Sequence, residues 1–295
     1  MAFVYHEITT NKVKSVILFI GFMVFFMIFG FVMGEASGSG GGYGGLILAG
    51  IIAIIYGLFG YFLGSKIALS SAGAKKIDRQ NLPQIYNMVE NLCIAGGIPT
   101  PEIYIMDDPA LNAFATGRDP QHSAIALTRG IIEKLDKQEL EAVIAHELSH
   151  VGNYDIRFGM LVIALVGAIS IMANIFLRFS LNFRGNKKSG QIQLVMILLA
   201  IALSIFGPLI AMLIQLAISR KREYLADASG ALLIRNPGAL ADALEKISGN
   251  SVLMKMPQSN AHLCISNPLK KGFFSGLFST HPPIEERIKR LREMA

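Results

Sequence analysis

Two histidines and a glutamate stand in the sequence in a pattern that suits metal chemistry. The segment reads His146-Glu147-Leu148-Ser149-His150, so the two histidines are four residues apart. On a helix this spacing puts both imidazoles on one face, close enough to share one zinc ion. Glu147 then lies within reach of a water on that zinc. The pattern indicates a zinc hydrolase in which His146 and His150 bind the metal and Glu147 is the general base.

The residues before this motif predict the helix that it needs. Asp136 followed by Glu139 is an aspartate version of the capping box. The motif alone arises by chance in roughly one chain in a hundred of this length. A structural alternative keeps the histidines as buried core residues, but such residues are costly to bury without a metal or hydrogen-bond partners. The helical context therefore favours zinc.

A catalytic zinc site needs a third protein ligand, which must come from elsewhere in the chain. No third histidine follows His150 at the spacing that metzincins use. Glu223 and Asp227 are four residues apart and share a helix face. Glu223 can bind zinc, and Asp227 can accept a hydrogen bond from a zinc histidine and fix its orientation. On spacing alone, a solvated helix face is the simpler explanation of this pair.

The composition indicates a membrane protein. The chain has 295 residues, of which 52% are hydrophobic and 16% are charged, against roughly 25% charged in soluble proteins. This excludes an ordinary cytosolic enzyme and a disordered chain. The net charge of +6 more often sets membrane topology than binds nucleic acid, so no nucleic-acid partner is expected. Cys93 and Cys264 show no CxxC spacing.

Four apolar runs are each long enough to cross a bilayer core of about 30 Å. They are Val16 to Met33, Leu46 to Leu63, Phe158 to Leu177 and Ile192 to Ile218. The predicted organisation is an N-terminal transmembrane hairpin in residues 1–65, a first part of the catalytic domain in 66–157, a second apolar hairpin in 158–218, and the rest of the catalytic domain in 219–295.

Positive charges near the runs predict the orientation. Lys12 and Lys14 precede the first run, and the loop after that run has no Lys or Arg, which places the N-terminus in the cytoplasm. The loop between the third and fourth runs is also basic, so either the first pair dictates the orientation or the second pair does not span in the ordinary way. In both cases the two polar blocks face the cytoplasm.

Residues 102–106 and 123–128 read as short strands. Between them lies Asn112-Ala113-Phe114-Ala115-Thr116-Gly117. This segment is either an ordinary hairpin connection or an exposed edge to which a substrate peptide adds as a further strand.

Besides the order of the four apolar runs, the chain contains four motifs. They are Asn112 to Gly117, His146 to His150, Glu223-Tyr224-Leu225-Ala226-Asp227, and Ser279-Thr280-His281-Pro282-Pro283 followed by Glu286-Arg287-Ile288. Together they resemble HtpX-type membrane metalloproteases, gluzincin peptidases related to the CAAX prenyl proteases. The resemblance implies an α-helical membrane protein with a mainly α (α+β) gluzincin-like zinc metalloprotease domain that carries a small β-sheet. It also implies one zinc ion per chain.

The resemblance also implies a role for each matching residue. The zinc ligands would be His146, His150 and Glu223, and the base Glu147. Asp227 would hydrogen-bond a zinc histidine. His281 and Arg287 would lie near the site, either stabilising the oxyanion or holding the fold together. Asn112, Ala113 and Phe114 would contact the substrate.

We therefore expect a multi-pass zinc metalloendopeptidase of the cell membrane. It would cleave damaged or misfolded membrane proteins on the cytoplasmic side, as part of a stress response. Phe158 follows His150 by only eight residues, about 12 Å of helix, so the zinc should lie near the membrane surface. The alternatives are a site-2-type intramembrane protease and a non-enzymatic scaffold or chaperone with a vestigial site. The sequence gives no indication of oligomeric state.

Overall fold

The computed structural model describes residues 2–36, 41–161, 164, 167–168, 220–248, 250, 263–266 and 282–295. The chain divides into two compact units. One consists of Met1–Lys12, Leu63–Met160 and Gln215–Ala295, and the other of Val13–Phe62 and Leu161–Ile214. The predicted third and fourth apolar runs lie largely outside the described residues, and His281 lies outside them too.

Two long apolar helices open the chain, α1 at Ala2–Ala36 and α2 at Gly42–Ser71. Both are long and apolar enough to cross a membrane, with candidate spans at Ser15–Val32 and Gly42–Ser71. They contain the predicted runs 16–33 and 46–63. A Cβ on Gly30 would overlap the backbone of Gly45, so the two helices touch through glycine backbone. Large apolar side chains remain exposed on both helices, as a lipid-facing surface requires.

The compact unit that contains Leu63–Met160 includes a four-stranded sheet. Its strands are β1 Ala74–Lys76, β2 Glu102–Met106, β3 Ala113–Asp119 and β4 His122–Thr128, in the order β1-β2-β4-β3. The strands β2 and β4 are parallel, and the other pairs are antiparallel. The two strands predicted from the sequence are β2 and β4, and β3 lies at the edge of the sheet.

The helix α5, Lys137–Gly152, begins where the sequence predicts. The Asp136 carboxylate accepts hydrogen bonds from the backbone N–H groups of Gln138 and Glu139, and Glu139 accepts one in return from Asp136 N. The capping box is thus present. The Glu139 carboxylate also receives Lys246 Nζ at 2.6 Å. These bonds fix the start of a helix whose residues are otherwise almost all buried.

The described fold includes five further helices: α3 Pro83–Gly96, α4 Arg129–Lys134, α6 Arg220–Ile234, α7 Pro237–Ile247 and α8 Ile284–Met294. Besides β3 and β4 of the sheet, α5 contacts α3, α6 and α7. The helix α8 packs on α7 and α6, and α4 packs on β4. The central position of α5 in the hydrophobic core fixes its rotation, and therefore which of its side chains face the site.

Candidate metal centre

The helix α5 presents His146 and His150 side by side. Their Nε2 atoms are 3.2 Å apart. His146 is fully buried, whereas the His150 side chain is 15% exposed. Two imidazoles on one helix face therefore converge on a single point that is closed on one side and open on the other.

The helix α6 brings Glu223 to the same point. Glu223 Oε1 lies 3.7 Å from His150 Nε2, and Glu223 Oε2 lies 3.8 Å from His146 Nε2. One ligand atom from each of the three residues lies within 4.8 Å of the others. Residues separated by more than 70 positions in the sequence thus form one cluster.

The donor set and its spacing fit a zinc ion. Tetrahedral ligands at about 2.0–2.1 Å from zinc are separated from one another by roughly 3.3–3.4 Å. The two Nε2 atoms, 3.2 Å apart, already match that separation, and the glutamate oxygens need to move by only a few tenths of an ångström. Two neutral imidazoles and a carboxylate are a catalytic donor set that leaves one position open.

An aspartate lies next to the Nδ1 atom of each histidine, on the side away from the common point. His146 Nδ1 lies 3.0 Å from Asp227 Oδ1, and His150 Nδ1 lies 3.0 Å from Asp155 Oδ2. An ionised carboxylate only accepts hydrogen bonds, so an Nδ1 that bonds to one carries a proton. In a neutral imidazole the lone pair then lies on Nε2, the atom that faces the common point, and this is the tautomer that a metal ligand needs.

Arg287 on α8 anchors the first of these aspartates. Its Nε and Nη2 donate to the two carboxylate oxygens of Asp227 at 2.9 and 2.6 Å. Burial raises the pKa of Asp227, but the Arg287 charge and the hydrogen bonds to His146 and Arg287 outweigh it and hold the pKa at about 2. Arg287 Nη1 also donates to the backbone oxygen of Ile265. The guanidinium is 1% exposed, so it joins α8 and residue 265 to the back of the site.

The Glu147 carboxyl group lies beside the cluster in an apolar setting. It is 1% exposed, and neither oxygen has a hydrogen-bond partner of good geometry among the described residues. Burial is the main cause that raises its pKa to about 7. A carboxyl group with that pKa accepts and returns protons near neutral pH.

A cavity opens beside these groups. Its lining includes the ionisable residues Glu147, His150, Asp155, Arg222 and Glu223, together with the uncharged residues Ala115, Ile156, Phe158, Gly159 and Leu263. The cavity thus combines a few polar groups with apolar surface, as ligand-binding clefts commonly do.

A comparison with protein families decides what kind of enzyme carries this site. The model of peptidase family M48 matches residues 79–295. The chain belongs to peptidase family M48. The matched region contains both ligand-bearing helices, α5 and α6, and the C-terminal helix α8.

Relatives of this M48 peptidase cover nearly its whole length. It is 51% identical over 240 residues to the protease HtpX homolog of Tropheryma whipplei (strain Twist), which covers 81% of this chain and 82% of the relative. It is 40% identical over 296 residues to the protease HtpX homolog of Ligilactobacillus salivarius (strain UCC118), covering 98% of this chain and 99% of the relative. Among solved structures, S. mikatae Ste24p matches with a TM-score of 0.49 and 15% identity, over 99% of this chain and 67% of that one.

The family match and the two HtpX homologs confirm the predicted HtpX-type family and the prediction of a metallopeptidase. With the two apolar helices α1 and α2, the same homologs support a membrane-associated protease.

The predicted substrate-binding residues lie in and beside β3. Asn112, Ala113 and Phe114 are all buried. The Asn112 side chain donates to the backbone oxygen of Ser266 at 3.1 Å. Phe114 pairs with Cys264, and Ile265 N donates to Ala113 O at 2.9 Å. The outer edge of this M48 peptidase's β3 is therefore already paired at Ala113 and Phe114. Ala115, the next residue of β3, lines the cavity together with Glu147.

Two residues that border the site of the M48 peptidase were not predicted. Asp155 holds His150, and Arg222 Nη1 donates to Asp155 at 3.4 Å. Arg222 directly precedes Glu223 in the sequence, which was its only visible signal. His150 and His146 thus each rest on an aspartate that is itself bound by a buried arginine.

Proposed function

We propose that this M48 peptidase is a zinc-dependent endopeptidase that cleaves damaged or misfolded membrane proteins at the cytoplasmic face of the cell membrane. One observation carries the proposal. His146, His150 and Glu223 converge on one point with the buried Glu147 carboxyl group beside it. A shared metal ion with a base beside it accounts for the presence of these groups at one point, three of them buried.

In this proposal His146, His150 and Glu223 hold one zinc ion per chain. When bound, zinc polarises the scissile carbonyl and makes a water molecule more acidic. Glu147 takes the proton from the attacking water and passes it to the leaving amine. Its raised pKa of about 7 suits both transfers.

Asp155 and Asp227 orient the two histidine ligands. Asp227, whose pKa is held at about 2, stays ionised and keeps His146 in one tautomer. The two-point contact of Arg287 with Asp227 supports a role in holding this carboxylate in place. We further propose that His281, outside the described residues, stabilises the oxyanion.

The membrane location follows from the placement of the site in the chain. Residues 155–161 are helical and begin directly after α5, at the start of the predicted third run. In our proposal that run and the fourth form a second membrane hairpin, residues 158–218, between the catalytic segments 66–157 and 219–295. The zinc site then lies near the membrane surface, within reach of the cytoplasmic loops of substrates.

The two alternative functions have less support. A site-2-type protease has its motif inside a long apolar helix, whereas α5 begins with the charged residues Lys137, Glu139 and Glu141. A vestigial scaffold has no need for two aspartates that each hold a histidine by Nδ1.

Cleavage of an unfolded membrane protein tests the proposal. The full-length protein is purified in detergent, loaded with zinc and incubated with that substrate, with and without a chelator. We expect zinc-dependent, chelator-sensitive fragments whose ends map to loops and membrane-proximal segments. Cleavage confined to the bilayer centre, or an absence of zinc-dependent cleavage, contradicts the proposal.

A further inference from the structure

A buried arginine at the edge of the cavity has hydrogen-bond donors that the fold does not use. Arg222 is 4% exposed and lines the cavity together with Glu147 and His150. Its Nη1 donates to Asp155, and its guanidinium carbon stacks 4.5 Å from the centre of the Phe158 ring. Its Nε and Nη2 are buried without a hydrogen-bond partner in the described part of the chain.

These two nitrogens form the side edge of the guanidinium, where two N–H bonds point in parallel. Arg287 shows what such an edge binds, because its own Nε and Nη2 donate to the Asp227 carboxylate. The same edge of Arg222 lacks an acceptor. Buried donors are rarely left unpaired, since each loses its hydrogen bonds to water. Arg222 lines the cavity, so a molecule that occupies the cavity can supply the missing acceptor.

The surroundings of Arg222 restrict what that acceptor is. The carboxylates of Glu147, Asp155 and Glu223 also border the cavity, and they repel an acidic side chain or a free C-terminus. A neutral main-chain carbonyl has a lone-pair oxygen without this penalty. It is also the acceptor that every polypeptide offers at each residue.

We propose that Arg222 is a substrate-binding residue whose Nε and Nη2 together donate to a main-chain carbonyl oxygen flanking the scissile bond. This inference rests on the proposed peptidase function and deepens it. The Asp155 contact and the Phe158 ring fix the guanidinium plane in advance, so little freedom is lost on binding. Recognition through the main chain is independent of side chains, which suits a protease that accepts many unfolded sequences.

The test measures peptide binding separately from cleavage. We use the full-length, zinc-loaded Glu147→Gln protein, which still binds peptides, and compare it with Glu147→Gln/Arg222→Lys. Each binds a fluorescent peptide and its analogues in which one carbonyl flanking the scissile bond is a thiocarbonyl, a weaker acceptor. We expect Arg222→Lys to weaken binding about 10- to 100-fold, as for a lost charge-assisted hydrogen bond. The analogue whose thiocarbonyl replaces the recognised carbonyl should bind more weakly than the parent peptide when Arg222 is present. In Glu147→Gln/Arg222→Lys the two peptides should bind about equally.

Two results overturn the proposal. One is binding that Arg222→Lys changes by less than about twofold. The other is a loss of binding on thiocarbonyl substitution that is equal in both proteins, or that occurs at no position when Arg222 is intact. The measurement with Arg222 intact does not depend on the folding of the Arg222→Lys variant. Arg292→Lys on the exposed face of α8 is the control and should bind like the parent. Zinc content is measured in parallel. If Arg222 acted only by holding Asp155, Arg222→Lys would change the zinc affinity, but the thiocarbonyl analogues would still bind more weakly than the parent peptide in both proteins. If the unmutated enzyme binds the peptide but never cleaves it, the proposed function fails, and the thiocarbonyl comparison still tests whether Arg222 donates to a main-chain carbonyl of the bound peptide.

Discussion

Gly230 on α6 packs directly against the backbone of His146 on α5. A Cβ at position 230 would lie 2.9 Å from His146 N and 3.0 Å from His146 Cα. Only glycine allows the two helices to approach this closely. Glu223 lies about two turns earlier on α6, so this contact sets the distance between the third proposed ligand and the two imidazoles.

Gly230→Ala should therefore weaken zinc binding without removing any ligand. The added methyl group moves α6 away from α5 and costs about 1–3 kcal/mol in packing. We expect zinc affinity, measured by competition with a chromogenic chelator, to fall at least about tenfold, the equivalent of 1.4 kcal/mol. Gly152→Ala is the control, because its Cβ would lie 3.6 Å from Ile98, an ordinary contact. Unchanged zinc affinity in Gly230→Ala would show that the helix spacing does not govern the site.

Glu147→Gln should separate metal binding from catalysis. The amide has nearly the same shape but cannot take a proton from water, so we expect the cleavage rate to fall by about 10² to 10⁴. Zinc content, measured by mass spectrometry of the purified protein, should stay at one ion per chain. Glu141→Gln on the same helix should retain full activity. A metal-loaded Glu147→Gln enzyme with normal activity would exclude Glu147 as the base.

Asp155→Asn and Asp227→Asn should each lower zinc affinity by about 10- to 100-fold. The amide no longer forces the proton onto Nδ1 of the histidine, so the Nε2 lone pair is directed at the metal less firmly. The same chelator competition measures both variants. Asp242→Asn, on an exposed carboxylate that binds Arg292, should leave zinc affinity unchanged. If Asp155→Asn behaves like this control, His150 does not depend on Asp155.

Arg287→Met should destabilise the fold more than it alters the chemistry. Removal of the guanidinium leaves the Asp227 charge buried without its partner, which costs about 3–5 kcal/mol. Arg292→Met, at an exposed ion pair with Asp242 and Glu245, should change the stability far less, because solvent screens that pair. Denaturant unfolding of the detergent-solubilised proteins measures both changes. Equal stability of the two variants would mean that the buried pair contributes no more than a surface pair.

The parts of the site that the sequence predicts are those set by local spacing. The Asp136 capping box fixes α5, and the four-residue spacings place His146 with His150 and Glu223 with Asp227 on shared faces. The site then forms when α5 and α6 pack closely together, which the glycine at position 230 permits.

Asp155 could not be predicted in the same way. It follows His150 by five residues, which on a continuous helix would place it well round from His150. The chain instead leaves α5 at Asn153 and turns through Tyr154, whose φ of 62° is left-handed. That turn returns Asp155 to His150, and its left-handed position is held by a tyrosine, a residue type that does not indicate such a turn in the sequence.

Arg222 was hidden by its neighbours. Within Arg220-Lys221-Arg222 it resembles any basic cluster at the end of an apolar run, for which a solvated face is the usual expectation. Its burial depends on Phe158 and Asp155, which are more than 60 positions away. The pairing of Phe114 with Cys264 is equally remote in sequence.

X-ray absorption at the zinc edge of the purified, full-length protein tests the proposed metal centre most directly. We expect two imidazole ligands at about 2.0–2.1 Å and only oxygen in the remaining positions. The spectrum should lose one imidazole in His150→Ala and stay the same in Glu147→Gln. Sulfur scattering at about 2.3 Å, fewer than two imidazoles, or a protein that takes up no zinc would contradict a centre built from His146, His150 and Glu223.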